Sequence, residues 1–150
     1  MLVKLNINGS VKEVDIKPHD YLLEVLRDLG YMGVERGCET GNCGVCTILV
    51  DDKPVLSCGY LAARAEGHKI TTIEGLEKEA LEVGQCIVDE GADQCGYCTP
   101  GLVVATIGLA KENPNPTEDE IRHYLTNNLC RCTGYAGHMR ALKKYFKVVD

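Results

Sequence analysis

The sequence predicts an α+β fold, in which a sheet crossed by one helix is followed by a half made only of helices. Two patterns carry this prediction. Residues 3–7 alternate apolar and polar side chains, as a strand with one buried face does, and Asn8-Gly9 is a strong hairpin turn. Beyond residue 76, apolar residues recur at helical spacing instead. The change of period places a boundary near residues 72–79, and we expect domains at 1–75 and 76–150.

The first half should contain four further strands and one helix around its first strand. The hairpin predicts a partner strand at 11–16. Asp20 can cap a helix that carries the apolar residues of 22–29, and Gly30 can close it. The segment 31–46 is rich in glycine and cysteine and should be a loop. The remaining strands are expected at 47–50, at 55–56 after a turn over 51–53, and at 70–73.

Helix start and stop signals divide the second half. The apolar stripe over 76–87 predicts one helix. Thr99-Pro100 supplies an N-cap and a first-position proline for a helix through Ala110, which Asn113–Pro116 should end. The pair Thr117 and Glu120 forms a capping box for the next helix, up to about residue 127. The apolar spacing of residues 141–146 predicts a last helix.

Composition excludes several classes of function. The chain has 150 residues and a formal charge of −6, and no basic run indicates a nucleic-acid partner. No apolar stretch is long enough to cross a bilayer, and the first residues lack the apolar core of a signal peptide. We therefore expect a cytoplasmic protein with no membrane partner. In that compartment cysteines stay reduced and more often bind metal, and an odd count of nine argues against a disulfide framework.

Eight of the nine cysteines fall into two spaced groups of four. The first cysteine group is Cys38, Cys43, Cys46 and Cys58, and the second cysteine group is Cys95, Cys98, Cys130 and Cys132. The Cys-x4-Cys-x2-Cys spacing of the first group, with a more distant fourth cysteine, is the plant-type [2Fe–2S] pattern. The alternative for either group is zinc, because four-cysteine sites with a Cys-x2-Cys half are common in zinc ribbons.

The predicted elements explain how each group can close. Cys46 and Cys58 are equidistant from Asp52, so a hairpin folded there sets them side by side across two strands. Cys98 and Cys130 are equidistant from Pro114, so two antiparallel helices return one to the level of the other. Two cysteines two residues apart point the same way only in extended chain, and we therefore expect residues 129–134 to be non-helical.

Three motifs make the chain resemble the small iron–sulfur subunit of the molybdenum hydroxylases, the xanthine dehydrogenase and aldehyde oxidoreductase family. They are Gly37-Cys-Glu-Thr-Gly-Asn-Cys-Gly-Val-Cys46, Gln94-Cys-Gly-Tyr-Cys-Thr-Pro-Gly101 and Asn128-Leu-Cys-Arg-Cys-Thr-Gly-Tyr135, and the resemblance covers essentially the whole chain. It implies a β-grasp, ferredoxin-like domain followed by a four-helix bundle, with a [2Fe–2S] cluster in each.

The resemblance also implies a role and partners. The subunit would pass electrons from a molybdenum–pterin site through both clusters to FAD or another acceptor, with molybdenum and FAD held by a large and a medium partner subunit. The second group would lie nearer molybdenum and the first nearer the flavin. Gln94 and Cys132 would contact the pterin. A purine or another N-heterocycle is the substrate that we expect, and no residue of this chain is expected to be catalytic.

Some residues and two other functions stand outside this assignment. Cys86 falls on or beside the apolar face of a helix, so we expect it to pack rather than to act as a reactive thiol. The four histidines are scattered and are expected at the surface or at helix ends rather than as ligands. The alternative functions are a free-standing two-cluster ferredoxin and a zinc-stabilised interaction module. A redox sensor that uses Cys86 is a third.

Overall fold

Five strands form one mixed sheet in the first half of the chain. The protein is described by a computed structural model over residues 1–148, so the last two residues of the expected second domain lie outside the described residues. The strands are β1 (Leu2–Ile7), β2 (Ser10–Asp15), β3 (Thr47–Val50), β4 (Lys53–Leu56) and β5 (Lys69–Thr71). Their order is β2-β1-β5-β3-β4, with β1 and β5 parallel and the other pairs antiparallel.

Both hairpins turn on two residues with positive φ. Asn8 and Gly9 have φ of 52° and 80°, which confirms the turn expected after β1. Asp51 and Asp52 have φ of 50° and 64°, and Val50 already pairs with Lys53. The second turn is therefore one residue shorter than the expected 51–53, because β4 begins at Lys53.

Helix α1 (Leu22–Asp28) places its apolar residues in a core shared with the sheet. Leu22, Leu23 and Leu26 are essentially inaccessible to water. The helix begins after Tyr21, which caps it without a side-chain hydrogen bond, so the expected Asp20 cap is wrong. The Asp20 carboxylate instead accepts the backbone N–H of Lys17 at 2.8 Å and closes the preceding turn.

Four α-helices follow the sheet in the described part of the chain. They are α2 (Glu77–Asp89), α3 (Thr99–Glu112), α4 (Glu118–Tyr124) and α5 (Ala136–Phe146). The capping box of Thr117 and Glu120 is present in both directions at the start of α4. Cys98, not Thr99, is the N-cap of α3, and the Thr99 hydroxyl donates to Asp93 at 2.9 Å. The α+β class expected from the sequence is confirmed.

Helix α3 joins the two halves. Its residues from Gly101 to Leu109 are all buried, and it packs on β3 and β4 as well as on α2. Leu49 of β3 belongs to the helical core, and a side chain at Gly108 would meet the Pro54 ring at 2.9 Å. Lys111 near the end of α3 pairs with Asp52 of the hairpin turn at 3.3 Å. Among residues 1–148, no helix is long and apolar enough to cross a membrane.

Candidate functional site: two groups of four cysteines

The first cysteine group is built on a loop that wraps one sulfur in backbone donors. The N–H groups of Thr40, Asn42 and Cys43 point at Cys38 Sγ from 3.4, 3.4 and 3.3 Å. Hydrogen bonds from Thr40, from its side chain first and then its backbone, lower the pKa of the Cys38 thiol to about 6. Cys38 is therefore held as a thiolate, the form that binds metal.

Cys46 and Cys58 come together, but not as direct cross-strand partners. Because the hairpin turn holds only Asp51 and Asp52, Cys46 faces Ser57, whose N–H and hydroxyl both donate to the Cys46 carbonyl at 3.3 and 2.8 Å. The expected Cys46–Cys58 register is wrong by one residue for this reason. A 3-10 turn at Ser57–Gly59 carries Cys58 back toward Cys46. Burial, followed by the hydrogen bond with Cys46, raises the pKa of Cys58 to about 11.

The second cysteine group gathers between the start of α3 and the segment before α5. Residues 128–135 contain no helix, as expected, so Cys130 and Cys132 lie on irregular chain. Cys132 Sγ lies 3.5 Å from Cys95 Sγ, and both residues are exposed. Cys98 and Cys130 lie deeper. Burial and the hydrogen bond with Cys130 raise the pKa of Cys98 to about 12.

The Thr133 hydroxyl supports Cys130. Thr133 Oγ1 lies 3.2 Å from Cys130 Sγ and accepts the backbone N–H of Tyr135 at 3.2 Å. Burial alone would raise the pKa of Cys130, but the donors of Thr133 and the backbone of Cys132 lower it. The pKa values of Cys98 and Cys130 thus shift in opposite directions, and the thiolate is favoured at Cys130.

His138 is a site residue that the sequence reasoning missed. The histidines were expected at the surface or at helix ends. His138 does lie near the start of α5, but it is only 1% exposed. Burial lowers its pKa, so the ring is neutral at neutral pH. The signal that could have found it is helical spacing, because residue 138 lies three and four positions before the buried Ala141 and Leu142.

The two cysteine groups meet through the backbone. The Leu129 N–H donates to the Cys43 carbonyl at 2.9 Å, and the buried Asn128 amide donates to the Gly44 carbonyl at 3.4 Å. Gly44 has a φ of +74°, and a Cβ there would lie 1.9 Å from the Asn127 carbonyl oxygen. Only glycine allows this approach, which joins the loop of one group to the segment beside the other.

Gln94 and Cys86 differ in exposure. Gln94 is exposed directly before the exposed Cys95. Cys86 is partly buried on α2 and packs against the helical core, and burial raises its pKa. A partly buried thiol that packs against a core behaves as a small apolar side chain, as expected for this residue.

The donor chemistry of both groups fits a thiolate-bound iron–sulfur cluster. Each group offers four sulfurs. Three backbone N–H groups face Cys38 Sγ, and the Thr133 hydroxyl faces Cys130 Sγ. A Cβ at Gly37 would meet Cys43 Sγ at 2.8 Å, so the loop needs glycine to pass this close to a ligand atom. Hydrogen bonds to sulfur favour the more negative, reduced state of a cluster.

Two sequence families match the chain, one over each half. The family described as 2Fe-2S iron-sulfur cluster binding domain matches residues 5–73. The family described as [2Fe-2S] binding domain matches residues 72–143. The two matches together contain all eight cysteines of the two groups.

Relatives of known name cover nearly the whole chain. The xanthine dehydrogenase iron-sulfur-binding subunit of Escherichia coli O157:H7 is 47% identical over 137 residues, which is 89% of this chain and 86% of that one. The nicotinate dehydrogenase small FeS subunit of Eubacterium barkeri is 41% identical over 136 residues, 89% and 87% of the two chains. In the crystal structure of quinoline 2-oxidoreductase from Pseudomonas putida 86, one chain superposes with a TM-score of 0.90 at 38% identity, covering 98% of this chain and 94% of that one.

Proposed function

The chain belongs to the [2Fe–2S] subunits of the molybdenum hydroxylase family, and we propose that it carries electrons between its partner subunits through two clusters. Cys38, Cys43, Cys46 and Cys58 are the proposed ligands of the first cluster. Cys95, Cys98, Cys130 and Cys132 are those of the second. A bound [2Fe–2S] cluster takes up and releases one electron at a time. The subunit is part of an oxidoreductase. We propose that it is not catalytic alone.

One observation carries the proposal: a single hydrogen bond links a ligand residue of one group to the neighbour of a ligand residue of the other. The path runs from Cys43 through its own carbonyl, across 2.9 Å to the Leu129 N–H, and along the chain to Cys130. A short path of covalent bonds and one hydrogen bond couples two redox centres better than a gap through space. The glycine at position 44 keeps this path short, because no side chain separates the two backbones.

The uneven exposure of the two groups supports the proposed direction. Cys95 and Cys132 are exposed beside Gln94, so this end of the molecule is open to the partner that holds molybdenum. We propose that Gln94 and Cys132 contact the pterin there, and that the first group faces the FAD-binding partner. The proposed division into domains 1–75 and 76–150 gives each domain one cluster, and the two family matches meet at residues 72–73.

The names of the relatives support an N-heterocyclic substrate for the complex. Xanthine, nicotinate and quinoline all contain a nitrogen heterocycle, and they appear in the names of the three proteins compared above. Substrate would bind to the molybdenum subunit, which is outside this chain. We propose a cytoplasmic complex.

Purification of the cluster-loaded chain tests the two-cluster proposal. The expected result is two irons and two inorganic sulfides for each group, with two distinct EPR signals after reduction. Cys98→Ser should remove one signal and keep the other, whereas Cys86→Ser, the matched control, should keep both. A chain that holds zinc in both cysteine groups and takes up no iron and sulfide on reconstitution would be a zinc-stabilised module instead. One EPR signal in the wild type would also contradict the proposal.

Co-purification tests the partners. The chain should elute with a molybdenum-containing and an FAD-containing subunit, and the complex should oxidise an N-heterocycle. Elution as a monomer from native extract would favour the free-standing ferredoxin. Activity toward aldehydes alone would contradict the proposed substrate class but leave the electron-transfer role intact.

A further inference from the structure

A buried histidine lies close to two cysteines of the second cysteine group. A ring nitrogen of His138 and the sulfurs of Cys98 and Cys130 all lie within 4.8 Å of one another. His138 is 1% exposed, and the two cysteines are partly buried. Two thiolates and an imidazole are a donor set that zinc and other thiophilic divalent cations take up readily.

The surroundings of the ring are those of a metal-binding histidine. Nδ1 of the ring lies 3.4 Å from the Thr133 hydroxyl. Burial lowers the pKa of the ring, and the Ala92 backbone, as a hydrogen-bond acceptor near the ring, opposes that lowering. Histidines that bind metal usually donate their other N–H to a carbonyl or carboxylate, which fixes the ring and its tautomer. The edge of the Tyr135 ring, with its centroid 6.2 Å away, also restrains the imidazole.

We propose that Cys98, Cys130 and His138 bind a single thiophilic divalent cation, such as Zn²⁺, when no cluster occupies the second group. Ligands of a tetrahedral zinc stand roughly 3.5–3.8 Å apart, since each bond is about 2.0–2.3 Å long. The present spacing of up to 4.8 Å has to close by about 1 Å for such an ion to bind, and we expect side-chain rotation to supply this movement. Cys95 or Cys132 can supply a fourth ligand from the exposed side. The single ion and the cluster exclude each other, because they share Cys98 and Cys130.

The first cysteine group provides an internal comparison. Its four donors are all sulfur, so a cation bound there has no nitrogen ligand. Cadmium serves as the probe because ¹¹³Cd is thiophilic and its NMR signal reports the donor atoms directly. The full chain, freed of iron and labelled with ¹⁵N in histidine, is loaded with ¹¹³Cd²⁺. The expected result is two resonances, of which one is split by coupling to a histidine nitrogen.

The variants identify the nitrogen. His138→Leu keeps an apolar side chain in the buried space and should abolish the splitting, with at least a tenfold loss of cadmium affinity at that site in competition with a chelator. His123→Leu, an exposed histidine on α4, is the matched control and should leave both unchanged. His138→Asn keeps a polar side chain in the same place and should likewise lose the splitting, which provides a second test if the leucine variant fails to fold.

Two results would overturn the inference. One is cadmium bound at both groups with no nitrogen coupling in the wild type. The other is coupling that persists in His138→Leu or His138→Asn. Neither result bears on the two clusters, which stand or fall on iron, sulfide and EPR of the cluster-loaded chain. Conversely, if the chain bound no iron–sulfur cluster, the two-cluster proposal would fail and the cadmium experiment would still test the His138 site.

Discussion

Replacing Gly44 by alanine should separate the two cysteine groups and destabilise the fold. The new Cβ would lie 1.9 Å from the Asn127 carbonyl oxygen, whereas ordinary contact begins at 3.4 Å, so the backbone must move by about 1.5 Å. The atom in the way belongs to the backbone of Asn127, so rotation of a side chain cannot relieve the overlap. The movement breaks the 2.9 Å bond between Leu129 and Cys43 and leaves the buried Asn128 amide without its acceptor at Gly44.

The size of the effect follows from these losses and a matched control. Gly41 has the same φ of +74°, and a Cβ at that position would have no neighbour within 4 Å, so Gly41→Ala carries only the backbone strain, about 1–2 kcal/mol. Gly44→Ala adds a lost hydrogen bond of about 1 kcal/mol and an unsatisfied buried amide of about 1–3 kcal/mol. The difference between the two variants should be about 2–4 kcal/mol, or roughly 5–15 °C in Tm for a chain of this size.

Far-UV circular dichroism of the cluster-loaded variants measures this difference on heating. Gly44→Ala should melt well below Gly41→Ala, and Gly41→Ala slightly below wild type. Gly101→Ala approaches the same contact from α3, since its Cβ would lie 2.4 Å from the Gly44 carbonyl oxygen, and should also melt early. Equal Tm values for Gly44→Ala and Gly41→Ala would refute the idea that close backbone contact holds the two groups together.

Three further predictions concern single side chains. Cys86→Ser should retain full iron and sulfide, because Cys86 packs on α2 outside both groups; loss of a cluster would show that the ligand assignment is wrong. In the metal-free chain, iodoacetamide at pH 7 should label Cys38 long before Cys98, because their pKa values are about 6 and about 12, and mass spectrometry of peptides would detect the order. Hydrogen bonds from Lys69 and then Lys111 lower the pKa of Asp52 below its usual 3.8. The stabilisation of the fold by ionised Asp52 is therefore present above pH 3.8 and is lost as the pH falls through the lower pKa of the folded state. Asp52→Asn should lower the free energy of unfolding by up to about 1 kcal/mol at pH 7 and leave it unchanged in strong acid. Urea titrations at both pH values measure this difference.

Elements marked by strong local signals were predictable from the sequence. Strand β3 at Thr47–Val50 was expected at its observed bounds, because a short buried apolar run between a loop and a turn has few alternatives. The start of α4 followed from Thr117 and Glu120, whose side chains act within one turn of helix. Such signals depend only on neighbours in the chain.

Features that depend on tertiary packing were not predictable in the same way. The register of Cys46 against Ser57 depends on whether the turn holds two residues or three. The pair Asp51-Asp52 is a weaker sequence signal for positive φ than Asn-Gly is. The 3-10 turn that carries Cys58 has no sequence signature. The helical spacing before Ala141 and Leu142 indicated a buried position at His138, but a polar residue is not ordinarily predicted to be buried.

The exposure of Cys95 and Cys132 makes the second group the vulnerable end of an isolated subunit. Their sulfurs stand 3.5 Å apart at the surface, whereas Cys46 of the first group is 2% exposed. Oxygen and metal chelators in solution therefore reach the second group without any unfolding, and damage there should precede damage to the first. A partner that covers this end would protect the second cluster as well as supply electrons to it. Exposure of the separate chain to air should therefore destroy the second cluster first.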